Sequence, residues 1–370
     1  MRKERRNEFD LIRAVSALYV TLYHFDYSFF EFGMKGDFFD IMFNANGTSG
    51  SPFVALFFML SGGALLYNWE DRLTTVRGKG GVLDFYKKRW LSIFPIFYVA
   101  WFIMYMVNVI SFGWLFNWGG PYRKLWLTFF GIDGYFMYRG LNYYTVGEWF
   151  LGAIVMLYLL YPLLQWCLKK IPKITTVILV LLFAFNVVRR GIPFLAPYNQ
   201  WVIISDNIHM FTCILPFWTG MLFIKAGRKI INRVSFIVSL AAAIVLNFVP
   251  IPFIGVMMDT YLLSVCYYFI FSGISVWIDG RREKREPKVY DAVIGFFSKY
   301  SFAFFLVHHV IIQKIMSNLA GHEFNFIGSI LLFFPILGVI SVAAVILKKV
   351  TDLILSFLTF IFGRIRKQDA

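Results

Sequence analysis

Ten apolar runs, most of them close to the length of a bilayer crossing, recur along this chain. They fall near residues 9–32, 51–69, 91–116, 146–168, 174–188, 209–224, 234–254, 259–279, 292–317 and 326–347. A helix needs about 20 mostly apolar residues to cross the hydrocarbon core of a membrane. Within lipid, only helices and closed barrels satisfy their own backbone polar groups. The expected fold is therefore all-α and integral to the membrane, with about ten transmembrane helices. A single domain should occupy residues 1–370, with a helical core over about 9–347 and a basic cytoplasmic tail over 348–370. Composition agrees: 59% of residues are hydrophobic and 15% charged, against about 45–50% and about 25% in soluble domains.

The basic residues give the direction. With the N-terminus inside and ten crossings, 27 Lys and Arg fall on cytoplasmic segments and 6 on outer ones. Only Arg13, Lys299 and Lys314 lie within spans. Such a bias is the signature of the positive-inside rule, and it predicts two cytoplasmic termini in a multi-pass protein of the cell membrane. The net charge of +15 thus reports on a lipid bilayer as partner, and no nucleic acid is expected. The first run carries Arg13, His24 and Asp26, so it reads as a retained span and not as a cleaved leader.

Charges inside a membrane are costly, and each is a functional hypothesis by default. Arg13 and His24 are eleven residues apart, three helical turns and about 20°, so they share one face about 16 Å apart along the axis. Asp10 can pair with Arg13 on the helix surface, and an interface arginine that snorkels to water is the plain alternative. Lys87, Lys88 and Arg89 open the third run. They suit either a membrane anchor or a clamp on phosphate, for which Arg supplies a planar fork and Lys a point charge. Ser61, Gly62 and Gly63 permit close helix packing or a break beside a cavity. Thr145 and Glu148 have capping-box spacing, which explains Glu148 as a helix-start residue, although it also puts a carboxylate at the outer face. His308 and His309 are adjacent, so on a helix they point about 100° apart and are not expected to line one cavity. They also lack the i,i+4 spacing of a helical zinc pair. Cys167, Cys213 and Cys266 lie far apart inside apolar runs and read as packed thiols. No metal is expected.

These residues resemble the acyltransferase-3 family of multi-pass membrane acyltransferases along most of the chain. Arg13 and His24 reproduce its R-x10-H signature, following Phe9-Asp10-Leu11-Ile12-Arg13-Ala14. FFMLSGGALL, KKRWLSIFPIFY, EWFLGAIVMLYLLYPLL and SKYSFAFFLVHH resemble further family segments, in the family's order. Two positions depart: Ser92 replaces the second arginine of the third-span motif, leaving Lys88 or Lys87 as its substitute, and Ile154 stands where many members carry Glu.

The resemblance implies transfer of an acyl group, most simply acetyl, from cytoplasmic acyl-coenzyme A to a hydroxyl. The acceptor it implies is an extracytoplasmic glycan or a lipid-linked sugar. His24 would be the base, with Arg13 binding the coenzyme or stabilising developing negative charge. Arg89, Lys88 and Lys87 would hold the donor's phosphates. Ser61, Glu148 and His308 would line the cavity or the acceptor side. The rival from another class is a transporter or flippase of polysaccharide precursors or small molecules, using the same Arg and His for proton or substrate movement.

Overall fold

A computed structural model describes residues 6–35, 43–112, 121–136, 141–191, 209–251, 255–281 and 289–368. Each of the ten apolar runs coincides with a helix. In chain order the α-helices of the described residues are α1 (Asn7–Glu31), α2 (Ser51–Trp69), α3 (Val82–Phe112), the short α4 (Leu125–Phe129), which matches none of the ten runs, α5 (Glu148–Lys170), α6 (Pro172–Gly191), α7 (Met210–Ala226), α8 (Arg233–Phe248), α9 (Gly255–Gly280), α10 (Val289–Ser317) and α11 (Phe326–Gln368). Extended structure among the described residues is limited to a two-residue antiparallel ladder, β1 (Phe43–Asn44) with β2 (Gly47–Thr48), and one isolated bridge between Lys35 and Glu323.

Among the described residues, six helices are long and apolar enough to cross a membrane: α2, α3, α5, α9, α10 and α11. Stretches of α6, α7 and α8 are apolar but shorter. The first helix has the length, 25 residues, but carries Glu8, Asp10, Arg13, Asp26 and Glu31. Its charges are answered by neighbours and not by lipid. It packs against α2, α9 and α10, and Glu8, 1% exposed, is held by Arg6 at 2.6 Å and Arg228 at 3.3 Å. Outward faces are apolar instead: Ile110, Val180, Phe248 and Phe334 are all exposed. An apolar shell over a core that holds the polar groups is the arrangement lipid allows.

Two elements differ from their sequence bounds. α3 begins at Val82, nine residues before its apolar run, so Lys87, Lys88 and Arg89 sit on the helix and not ahead of it. Asp84 in its first turn favours that start, a carboxylate being stabilised at a helix N-terminus. α11 runs unbroken through residues 348–368, so the segment expected as a basic tail continues the last helix. The four prolines inside helices, Pro95, Pro162, Pro216 and Pro335, are tolerated where neighbouring helices re-satisfy the backbone.

Close packing sets the centre of the bundle. α2 and α7 form the most intimate pair. A Cβ at Gly62 would collide with the carbonyl of Phe217, and one at Gly220 with that of Met59. The small residues of the second run therefore serve helix approach.

α1 and α10 run parallel: Asp10 meets Ser298, His24 meets His308, and Glu31 meets Gln313. The pair carries most of the polar residues discussed next.

Candidate active site

Two polar regions lie along α1, about three helical turns apart. The first surrounds Arg13. Its Nη1 donates to Ser298 Oγ at 3.1 Å and lies 3.5 Å from Asp10 Oδ1, while Ser298 Oγ donates to Asp10 at 2.6 Å. The expected Asp10–Arg13 pair is therefore present, completed by a hydroxyl from α10. Arg13, Ser61, Arg89 and Ser92 all line one cavity of about 300 Å³. Residues far apart in sequence, from α1, α2 and α3, thus converge on one cavity. Arg89 lies 6.0 Å from the Tyr158 ring centroid, and its buried Nε has no hydrogen-bond partner among the described residues.

Lys87 and Lys88 do not line this cavity. Lys88 Nζ pairs with Asp84 at 2.9 Å and sits 5.2 Å from the ring of Trp69. Trp69 is itself a cavity wall, and Arg72 also lies 5.2 Å from its ring. The rim is thus a tryptophan flanked by two cations, which the apolar pattern of α2 did not announce. Ile154, at the position where relatives carry Glu, is another wall residue.

At the other end of the cavity Phe150 and Phe305 are wall residues that pack edge to face at 4.9 Å. Phe305 lies 6.3 Å from His308, centroid to centroid. His24 is not a cavity residue. It belongs to a second, buried cluster associated with this aromatic wall.

That cluster joins three imidazoles to one carboxylate. His24 lies 5.1 Å from His308 and 4.8 Å from His309, centroid to centroid. Glu148 Oε1 is 3.1 Å from His309 Nδ1 and 4.0 Å from His308 Nε2, and Oε2 is 4.0 Å from His24 Nε2. Both expectations for these residues need correction. His308 and His309 do face one site, because a carboxylate opposite the bisector of their 100° separation is reached by both rings. Glu148 is not the third residue of a capping box either. The cap position is Gly147, at φ 92°, and Glu148 follows as the first helical residue at φ 39° with no side-chain cap bond. A left-handed conformation is natural for Gly but uncommon for Glu, so backbone strain is held at this position.

The segment before α5 supports that strain. A Cβ at Gly134 would run into the Glu148 carbonyl, so the chain passes there only as glycine. Next to it Asp133 is 1% exposed and accepts from Thr128 Oγ1 and the Gly134 N–H, both at 2.9 Å. Burial raises its carboxyl to about 6. The sequence pattern does not flag Asp133, and it singles out His309 only as pointing away from the site of His308.

His308 is 1% exposed, and its Nδ1 lies 3.0 Å from the carbonyls of Phe304 and Phe305. Carbonyls only accept, so Nδ1 carries the proton and Nε2 presents a lone pair toward Glu148. Elsewhere His209 caps α7 by accepting from the Phe211 N–H, and the three cysteines form no disulfide with one another.

A bundle of long apolar helices, with an arginine-walled cavity and a largely buried imidazole–carboxylate cluster further along α1, is the architecture of a multi-pass membrane protein. A family model described as an acyltransferase domain matches residues 6–349. The chain belongs to this acyltransferase-3 family and is a membrane acyltransferase. No curated protein and no solved structure matches it.

Proposed function

We propose that this protein transfers an acetyl group from cytoplasmic acetyl-coenzyme A to a hydroxyl of an extracytoplasmic glycan or lipid-linked sugar, in the cell membrane. The observation that carries this reading is the convergence of Arg13 and Arg89 on one cavity, with His24 three turns further along Arg13's own helix. The positive-inside bias puts the arginine end at the cytoplasm, where the coenzyme is.

The spacing divides the labour. At about 16 Å from His24, Arg13 is too far to stabilise charge on the reacting carbonyl, so it serves the coenzyme with Arg89. Both offer planar, permanently charged forks for phosphate. Lys88 and Arg72 extend the positive rim, and Lys87 adds to the general field. The thioester then passes the Phe150–Phe305 wall to reach His24. There the imidazole takes the proton of the acceptor hydroxyl as its oxygen bonds to the thioester carbonyl carbon. The carbon–sulfur bond breaks, and the coenzyme leaves as the thiol after taking back a proton. Ser61 lines the donor path, while Glu148 and His308 face the acceptor.

Purified protein in nanodiscs, given radiolabelled acetyl-coenzyme A and envelope glycan, should release coenzyme thiol and label the glycan. A His24→Ala variant that elutes like wild type should do neither. Full labelling by that variant would overturn the role of His24. Thiol release absent from wild type, with glycan or polyol acceptors supplied, would overturn the enzyme reading in favour of transport.

A further inference from the structure

The geometry points to a divalent transition-metal site, best suited to zinc, formed by His24, Glu148 and His308. One donor atom from each lies within 4.8 Å of the others, and the three come from α1, α5 and α10. Sequence spacing argued against a metal because it examined only the adjacent histidines of one helix. A ligand set drawn from three helices leaves no such trace.

The strongest sign is an electrostatic mismatch. His308 Nε2 carries a lone pair, because Nδ1–H is committed to two backbone carbonyls. That lone pair faces the Glu148 carboxylate at 4.0 Å. Two acceptors thus point at each other in a buried setting, and Nε2 has no hydrogen-bond partner among the described residues. A buried acceptor without a partner is costly. A cation between the two atoms resolves the mismatch, satisfying both lone pairs at once.

The surroundings match what a metal requires. A ligating histidine normally donates its other ring nitrogen to a carbonyl, which fixes tautomer and orientation, and His308 does this twice. The carboxylate has its own support in His309 Nδ1, at 3.1 Å. Two nitrogen donors and one oxygen donor suit zinc better than magnesium or calcium, which prefer oxygen. Bonds of about 2.0–2.1 Å put tetrahedral donors about 3.3 Å apart. The two 4.0 Å distances from Glu148 run to different carboxylate oxygens, and with one donor atom from each residue the spacings extend to 4.8 Å, so closing on a metal needs about 1.5 Å of inward movement. Three protein ligands also leave a fourth position open, as catalytic zinc sites do.

Metal binding stands independently of the acyltransferase reading; only its consequence rests on that reading. Without metal, His24 is the base of the proposed transfer. With metal bound, His24 Nε2 would ligate instead, the acceptor hydroxyl would occupy the open position, and its proton would pass to the Glu148 oxygen that does not ligate, so loss of His24 stops turnover in either form.

The test is metal content of the untagged, full-length protein in detergent, measured by mass spectrometry after dialysis with zinc(II), and the visible spectrum after loading with cobalt(II). Wild type should retain one zinc per chain and give the intense bands of a four-coordinate cobalt site. Glu148→Gln and His308→Ala should each weaken retention by at least about tenfold, and Glu148→Asp should keep part of it. Should a variant fail to elute as wild type, the wild-type cobalt spectrum decides alone. Wild-type protein that holds no zinc and gives only the spectrum of hydrated cobalt overturns the site, as does equal retention by folded variants. Protein that takes up no metal in either measurement yet transfers acetyl overturns the site while leaving the acyltransferase reading intact. Metal-loaded protein that never transfers does the reverse.

Discussion

The two polar regions along α1 solve the problem of charge in a membrane in opposite ways. Around Arg13 most of the charge is matched, with Asp10 and Ser298 bracketing the guanidinium and Lys88 paired with Asp84, while Arg89 lines the cavity with its Nε unpartnered among the described residues. The region is partly open, with Arg13's side chain 31% exposed, and it surrounds a cavity. At His24 the side chains range from buried His308 to half-buried His309, and two acceptors are left unsatisfied among the described residues, on a backbone strained at Glu148. An arginine left uncommitted in a partly open cavity suits a place that binds and releases a large polyanion. Unbalanced lone pairs among largely buried groups suit a place that takes a proton or a cation, since both interactions strengthen as water is excluded.

This contrast predicts graded effects. The largest falls on the strained cluster: His24→Ala should lower turnover by at least about 100-fold, the usual contribution of a general base, with little change in donor affinity. Kinetics at saturating acetyl-coenzyme A read this directly. Next, Arg89→Ala should weaken donor binding by about ten- to hundredfold, the worth of hydrogen bonds to a charged group. It should raise KM while leaving kcat largely intact. Phe305→Ala, which opens the wall between the regions, should increase acceptor-independent thiol release several-fold by admitting water; unchanged release would show that the wall does not separate them. Lys88→Ala should cost less than about 1 kcal/mol of donor affinity, because that lysine is already paired at the surface.

The smallest effect concerns stability and the support behind Glu148. Asp133 has a folded value of about 6, above the ordinary 3.8. The folded state therefore binds more protons between these values, and stability falls as pH rises from about 4 to about 6. Below that window the contribution is fully present; above it, the loss is complete. Asp133→Asn should flatten this part of a melting-temperature profile in detergent, and an unchanged profile would assign the slope to other groups.

Much of this architecture was legible in the residues. Apolar runs located the helices, because lipid demands length and apolarity. Helical periodicity put Arg13 and His24 on one face, because both lie on a single element. The reactive cluster was harder. Thr145 and Glu148 offered a local capping pattern that hid the carboxylate's tertiary role. The one warning was Gly147, whose left-handed turn delays the helix start and sends Glu148 into the bundle. The pairing of His308 and His309 was hidden for a different reason. Angles around one helix say which way residues point, but not whether a partner stands between them. Asp133 depends on a fold-back against α5 that no periodicity encodes.

The central claim is that α1 separates binding from chemistry. The most direct test is a side-by-side measurement of acetyl-coenzyme A affinity and acetyl turnover in His24→Ala and Arg89→Ala. The account predicts a double dissociation: His24→Ala binds the donor like wild type and does not turn it over, whereas Arg89→Ala binds weakly but turns over once saturated. Equal loss of both properties in both variants would contradict it.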